Sequence, residues 1–255
     1  MIRAIHRFFK RIVPPYRRVW DKVGRLRERF NAMERLLHEV RDAQNAAQRA
    51  VWRSEVLLAG DLETIAAMDS ALVRRYVFAA AQVPEHAHVL DVSCGFGFGT
   101  YYIATRTACD QVTGLDPLDG NLAVARLKHE SPKIVYAQGD CAERDFSDEA
   151  FDVVLWLNVA RHRGWDESRF RRMAKTLSPG GTLVAAFLNR DRLADRDASL
   201  DAVAYSAAQI KAFCAAAGLA VNAVCSQHVG ADALALGDDG DVLVMIVRKS
   251  GDKTS

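Results

Sequence analysis

The chain has 255 residues, half of them hydrophobic, enough for one α/β domain with an appendage. Its five cysteines form no CxxC pair, which argues against a zinc site or a disulfide framework and for reduced thiols. A net charge of +2 conceals ten Lys/Arg against two acids in residues 1–30, and a net of −6 over the rest, so the basic face a nucleic-acid binder needs is not expected beyond the tail. No run of about 18 apolar residues could span a bilayer. Arg7, Lys10 and Arg11 interrupt any signal-peptide core, so a cytoplasmic location is expected.

In chain order, Ile2, Ile5, Phe9 and Ile12 recur at helical spacing among clustered cations, predicting a short amphipathic helix that Pro14 and Pro15 end or bend. Residues 1–20 read either as a solvated tail or as an anchor on an anionic membrane surface, with a nucleic-acid tail as a third reading. A second helix starts near Tyr16. Val23, Leu26, Phe30, Met33, Leu37, Val40, Ala47, Val51 and Leu58 follow a 3–4 alternation broken at Gln44 and Ser54, a coiled-coil-like seam. Over residues 23–58 this seam packs on its own domain or pairs two chains as a homodimer. Gly60 and Asp61 divide this extension, residues 1–60, from the domain of residues 61–255. A further helix presents Ile65, Met68, Leu72 and Tyr76 on one face, and Pro84 closes it.

Val89, Leu90 and Val92 then form a strand around Asp91, which runs into Gly95, Gly97 and Gly99. Glycine at such a turn permits positive φ and close approach of a ligand to the backbone. The dinucleotide fingerprint is GxGxxG, whereas this loop reads GxGxG. Asp116 ends a second strand-like run about 20 residues on, where an acid hydrogen-bonds ribose hydroxyls in Rossmann-type sites. Residues 134–143 place Asp140 at the end of a third strand, residues 151–162 form a fourth, and residues 177–187 carry a Pro-Gly-Gly turn into a fifth.

Taken in this order, the segments resemble the motifs of class I S-adenosylmethionine-dependent methyltransferases over roughly residues 85–190. The resemblance implies an α/β, Rossmann-like seven-stranded sheet, mostly parallel, behind the helical extension, with S-adenosylmethionine as cofactor. It implies that Asp91, Ser93, Gly95 and Gly97 shape the methionine end, where a Cβ at Gly97 would intrude on the cofactor. Gly99 would permit close helix–strand packing. Asp116 would hold the ribose, Leu118 the adenine face, Asp140 the adenine amino group and the Cys141 N–H the ring. Asn158 lies at the ligand-facing end of the fourth strand and belongs to both the cofactor and catalytic sets, although many relatives carry an acid there. His162 reads as a general base for methyl transfer to a hydroxyl or as a surface loop histidine.

Beyond residue 187, residues 189–204 are charged and show no strand pattern. Ser206 reads as an N-cap and Gly218 as the matching helix stop. Residues 220–225 and 241–247 read as a closing antiparallel pair with turn chemistry at residues 237–240. The acceptor is expected to be a small molecule or a surface-glycan or lipid-linked sugar. The alternative is an inactive methyltransferase-like assembly platform. A nicotinamide oxidoreductase is disfavoured by the early third glycine.

Overall fold

The computed structural model describes residues 70–141, 146, 150–157, 167–193, 204–228 and 233–251. The extension over residues 1–60, on which the membrane-anchor and heptad readings fall, lies outside them, as do Asn158 and His162.

Five strands, β1 (His88–Val92), β2 (Gln111–Asp116), β3 (Ile134–Gln138), β4 (Phe151–Trp156) and β5 (Leu177–Asn189), form the parallel part of one sheet. The short β6 (Ala204–Tyr205) pairs beside the end of β5, and β7 (Leu219–Gln227), β8 (Ala235–Leu236) and β9 (Val242–Lys249) complete the sheet in the order β3-β2-β1-β4-β5-β9-β7-β8. Seven long strands therefore follow the expected architecture. Among the described residues the two-residue β6 and β8 bring the sheet to nine strands. Central strands are buried on both faces, so β1 and β4 read as near-continuous apolar runs rather than alternations.

Helices α1 (Ser70–Ala80), α2 (Phe98–Arg106) and α3 (Asp119–Lys128) precede or connect the first three strands. α4 (Glu167–Thr176), the single turn α5 (Arg190–Leu193) and α6 (Ala207–Ala216) belong to the second half. Residues 189–204, read as lacking a strand, hold the end of β5, that helical turn and the first residue of β6. Ser206 caps α6 in a reciprocal capping box with Gln209, and Gly218 sits just past the helix at φ +72°. Phe170, Phe187, Tyr205 and Phe213 join α4, β5, β6 and α6 through ring contacts at 5.6–6.1 Å. The closing antiparallel pair is β7 with β9, and β9 also pairs antiparallel with β5. All five cysteines are buried free thiols. Among the described residues no helix is long and apolar enough to cross a membrane, and none form a metal-ligating cluster.

Candidate functional site

The parallel strands β1, β2 and β3 bring their C-terminal ends to one rim, the position where open α/β sheets bind ligands. Backbone bonds tie these ends in sequence. The Cys94 N–H donates to the Leu115 carbonyl at 3.0 Å, and the Gly139 N–H to the Asp116 carbonyl at 3.1 Å. The turns after β1, β2 and β3 are thereby one connected edge. A small cavity there, about 10 Å³ or room for a single water, is lined by Ser93, Pro117, Gly139, Asp140, Cys141 and Trp156, among others. Ser93 thus meets Asp140 and Cys141, which lie far from it in sequence. Trp156, at the end of β4, joins them.

The glycine turn owes its shape to three left-handed residues, Ser93 at φ +60°, Gly95 at +58° and Gly97 at +83°. A serine in this region carries strain of about 1–2 kcal/mol, tolerated where the surroundings fix the backbone. Ser93 is buried between two such surroundings, β1 and the Cys94–Leu115 bond. A Cβ built on Gly95 would meet nothing within 4 Å, so the backbone there borders open space. At Gly97 the outcome differs from expectation. Its Cβ would fall 2.5 Å from the Tyr136 hydroxyl and 2.7 Å from the Ala125 Cβ, so this glycine makes room for those two side chains. Gly99 is likewise corrected. Its Cβ would lie 2.0–2.4 Å from the Tyr76 ring, so it allows α1 to approach α2 rather than a helix to approach a strand.

Asp91, read with Ser93, Gly95 and Gly97 as shaping the methionine end, has a wholly buried carboxylate. It accepts from the Thr100 hydroxyl at 2.7 Å and from the Tyr76 hydroxyl at 3.1 Å. Burial pushes its pKa up to about 7 despite those two donors, and the nearby Asp116 adds to the rise. Burial also raises the Tyr76 phenol and the Cys94 thiol, so both stay protonated near neutrality.

Asp116 occupies the tip of β2 and is 5% exposed. One oxygen, Oδ2, accepts the Gly95 N–H at 2.9 Å. The other, Oδ1, accepts the Leu118 N–H and the Asn121 amide, each at 3.0 Å. The Leu118 bond is an Asx turn, the local geometry an Asp two residues upstream provides. Leu118 is 61% exposed beside this carboxylate.

Sequence reading missed Tyr76, Thr100, Asn121 and Arg75. Arg75 on α1 donates to the Leu157 carbonyl just past β4 at 2.9 Å and to Gln227 at the end of β7 at 3.0 Å. Only the small polar Thr100 directly after the glycines offered a local cue. The others act through partners distant in sequence.

Residues 89–181 match the family model described as a methyltransferase domain. Over 97 residues the chain is 36% identical to phthiotriol/phenolphthiotriol dimycocerosates methyltransferase 1 of Mycobacterium ulcerans, covering 38% of this chain and 35% of that protein. Over 99 residues it is 33% identical to phosphoethanolamine N-methyltransferase 3 of Arabidopsis thaliana, covering 38% of this chain and 20% of that one. The chain thus spans about a third or less of the length of these relatives. The crystal structure of an S-adenosylmethionine-dependent methyltransferase from Mesorhizobium loti superposes with a TM-score of 0.56 at 18% identity, over 69% of this chain and 98% of that one. Domain match, strand order and the linked glycine turn and strand-end acid converge on one reading: residues 89–181 carry a methyltransferase domain, and its fold is the Rossmann-like one of S-adenosylmethionine-dependent methyltransferases.

Proposed function

We propose that the chain transfers a methyl group from S-adenosylmethionine to a hydroxyl of a small molecule or of a surface-glycan or lipid-linked sugar. The observation that carries the reading is the 2.9 Å bond from the Gly95 N–H to Asp116, which brings the β1 turn and the β2 acid to one point. The residues present suit that cofactor. The Gly95 backbone borders open space, Asp116 presents a carboxylate at the rim, and Leu118 offers an exposed apolar face.

In this reading Ser93 and Gly95 carry the backbone under the methionine end, and Gly97 keeps that turn in register against Tyr136. Asp116 accepts from ribose, Leu118 covers one face of adenine, and Asp140 with the Cys141 N–H meets its polar edge. Asp91 works at one remove, by anchoring the turn through Tyr76 and Thr100. When bound, S-adenosylmethionine supplies a methyl already activated on a sulfonium. The protein's contribution is then to orient the acceptor and exclude water. Asn158 and His162 are assigned to the acceptor side, His162 as general base.

The two relatives are named for acceptors of different chemistry, so the matched domain by itself does not select one. The basic, aromatic residues 1–20 support a peripheral site of action on an anionic membrane, and residues 23–58 support a homodimer. Calorimetric titration with S-adenosylhomocysteine and NAD(H) side by side tests the class. Micromolar binding of the former alone is expected, and binding of NAD(H) alone would overturn the reading. Labelled-methyl transfer into fractionated lipids, glycans and small metabolites then identifies the acceptor. Cofactor binding with no transfer into any fraction would replace the enzyme with the assembly platform.

A further inference from the structure

The geometry points to Asn121 as a specificity-determining residue that makes Asp116 read one ribose hydroxyl instead of two. The inference rests on the cofactor reading above. An ionised carboxylate offers about four lone-pair sites, two on each oxygen. On Asp116, Oδ1 already accepts two donors, the Leu118 N–H and the Asn121 side-chain amide, both at 3.0 Å. Oδ2 accepts one, the Gly95 N–H at 2.9 Å. A single site therefore remains, on Oδ2.

A vicinal diol presents two O–H donors side by side, and gripping both needs two acceptor sites on the carboxylate. With one left, the second hydroxyl goes without a carboxylate acceptor and is left to water, so its loss costs little. The three resident donors differ in kind. The Gly95 and Leu118 N–H groups are backbone, fixed by the glycine turn and by the Asx turn. Asn121 is the one side chain among them, and it stands in the first turn of α3, where its own N–H is already spent on the Leu118 carbonyl at 3.0 Å. Its amide thus closes Oδ1 and also holds the carboxylate in one rotamer. Asn121 acts through Asp116 and is a positioning residue.

The test titrates the full chain with S-adenosylhomocysteine and its 2′-deoxy and 3′-deoxy forms. For the wild type, loss of one hydroxyl should weaken binding tenfold or more and loss of the other less than threefold. Asn121→Ala opens a second acceptor site, so the two losses should become alike within about threefold. Asn121→Gln keeps an amide donor and should preserve the wild-type asymmetry. Equal penalties in the wild type overturn the inference whatever the variants do. An asymmetry that survives in Asn121→Ala removes Asn121 from it. Should Asn121→Ala fail to melt cooperatively, the wild-type pair of penalties and the Gln variant decide. Failure of the wild type to bind S-adenosylhomocysteine at all is a different result, and it removes the cofactor reading together with this one.

Discussion

The Tyr76 hydroxyl donates to the Asp91 carboxylate at 3.1 Å, where neither residue reaches solvent. A helix preceding the sheet thereby grips the strand that feeds the glycine turn. The pair also makes stability depend on pH. Asp91 titrates near 7 when folded, against an ordinary 3.8, chiefly because burial penalises its charge. Folding therefore takes up a proton between these values. Its contribution is fully present below about pH 4, falls as pH rises, and is lost above about 7. The span amounts to about 4 kcal/mol at 1.36 kcal/mol per unit. Thermal melts from pH 4 to 8 should show this decline, and Asp91→Asn should flatten it.

The two glycines at the ends of the turn should respond differently to alanine. Gly99→Ala drives a Cβ into the Tyr76 ring and should cost about 3 kcal/mol, as overpacking does. In a Tyr76→Leu background, where the clashing ring atoms are gone, the same change should cost less than 1 kcal/mol. Gly95→Ala meets no atom but holds φ +58°, so about 1 kcal/mol is expected, with a loss of S-adenosylhomocysteine affinity out of proportion to it. Denaturant midpoints and calorimetry separate the two effects.

Arg75 joins α1 to the ends of β4 and β7. Hydrogen bonds from a charged donor contribute about 1.5–3 kcal/mol each, so Arg75→Ala should lower stability by at least that much. Arg75→Lys keeps the charge but loses the planar fork, and should recover less than half. Gln227→Ala should cost little more once Arg75 is gone, a non-additivity that urea titrations of the three variants would expose.

His162→Ala should reduce the methyl-transfer rate by about 10²–10⁴-fold and leave cofactor affinity intact, the signature of a lost general base. A change under threefold would return His162 to a surface loop and leave transfer to proximity.

Deleting residues 1–20 removes six cations that precede the heptads. Sedimentation with anionic liposomes should be lost and the oligomeric state kept. Salt should weaken the wild-type association, since such attraction decays over about 8 Å at physiological ionic strength. Deleting residues 1–60 should additionally turn a dimer into a monomer by light scattering.

The sheet and its ligand-facing rim were legible because their signals are local. Apolar strands, glycines at alternate positions and an acid about 20 residues on need no knowledge of the rest of the chain. Pairings across the fold were not legible. Tyr76 reads as one more apolar-face residue, and nothing near it announces a partner 15 positions away. Arg75 and Gln227 are 152 positions apart. Gly97 and Gly99 read as positions where a Cβ would intrude, but what each makes room for depends on Tyr136 and Tyr76, which other elements supply. β6 escaped notice because two residues, Ala204 and Tyr205, carry no period, and their pairing exists only beside the end of β5.

The place of β9 between β5 and β7 imposes an order on biosynthesis. β1 to β4 can pair with one another as they leave the ribosome. β5 cannot be covered on its outer edge until residues 242–249 have been made, some fifty positions after β5 ends. Through that interval the longest strand of the sheet has an open ladder, and β7 lacks the neighbour that joins it to the sheet. Translation stalling or a premature stop upstream of Val242 would release a chain with a complete ligand rim and a bare apolar edge, the form most prone to pair with another such edge.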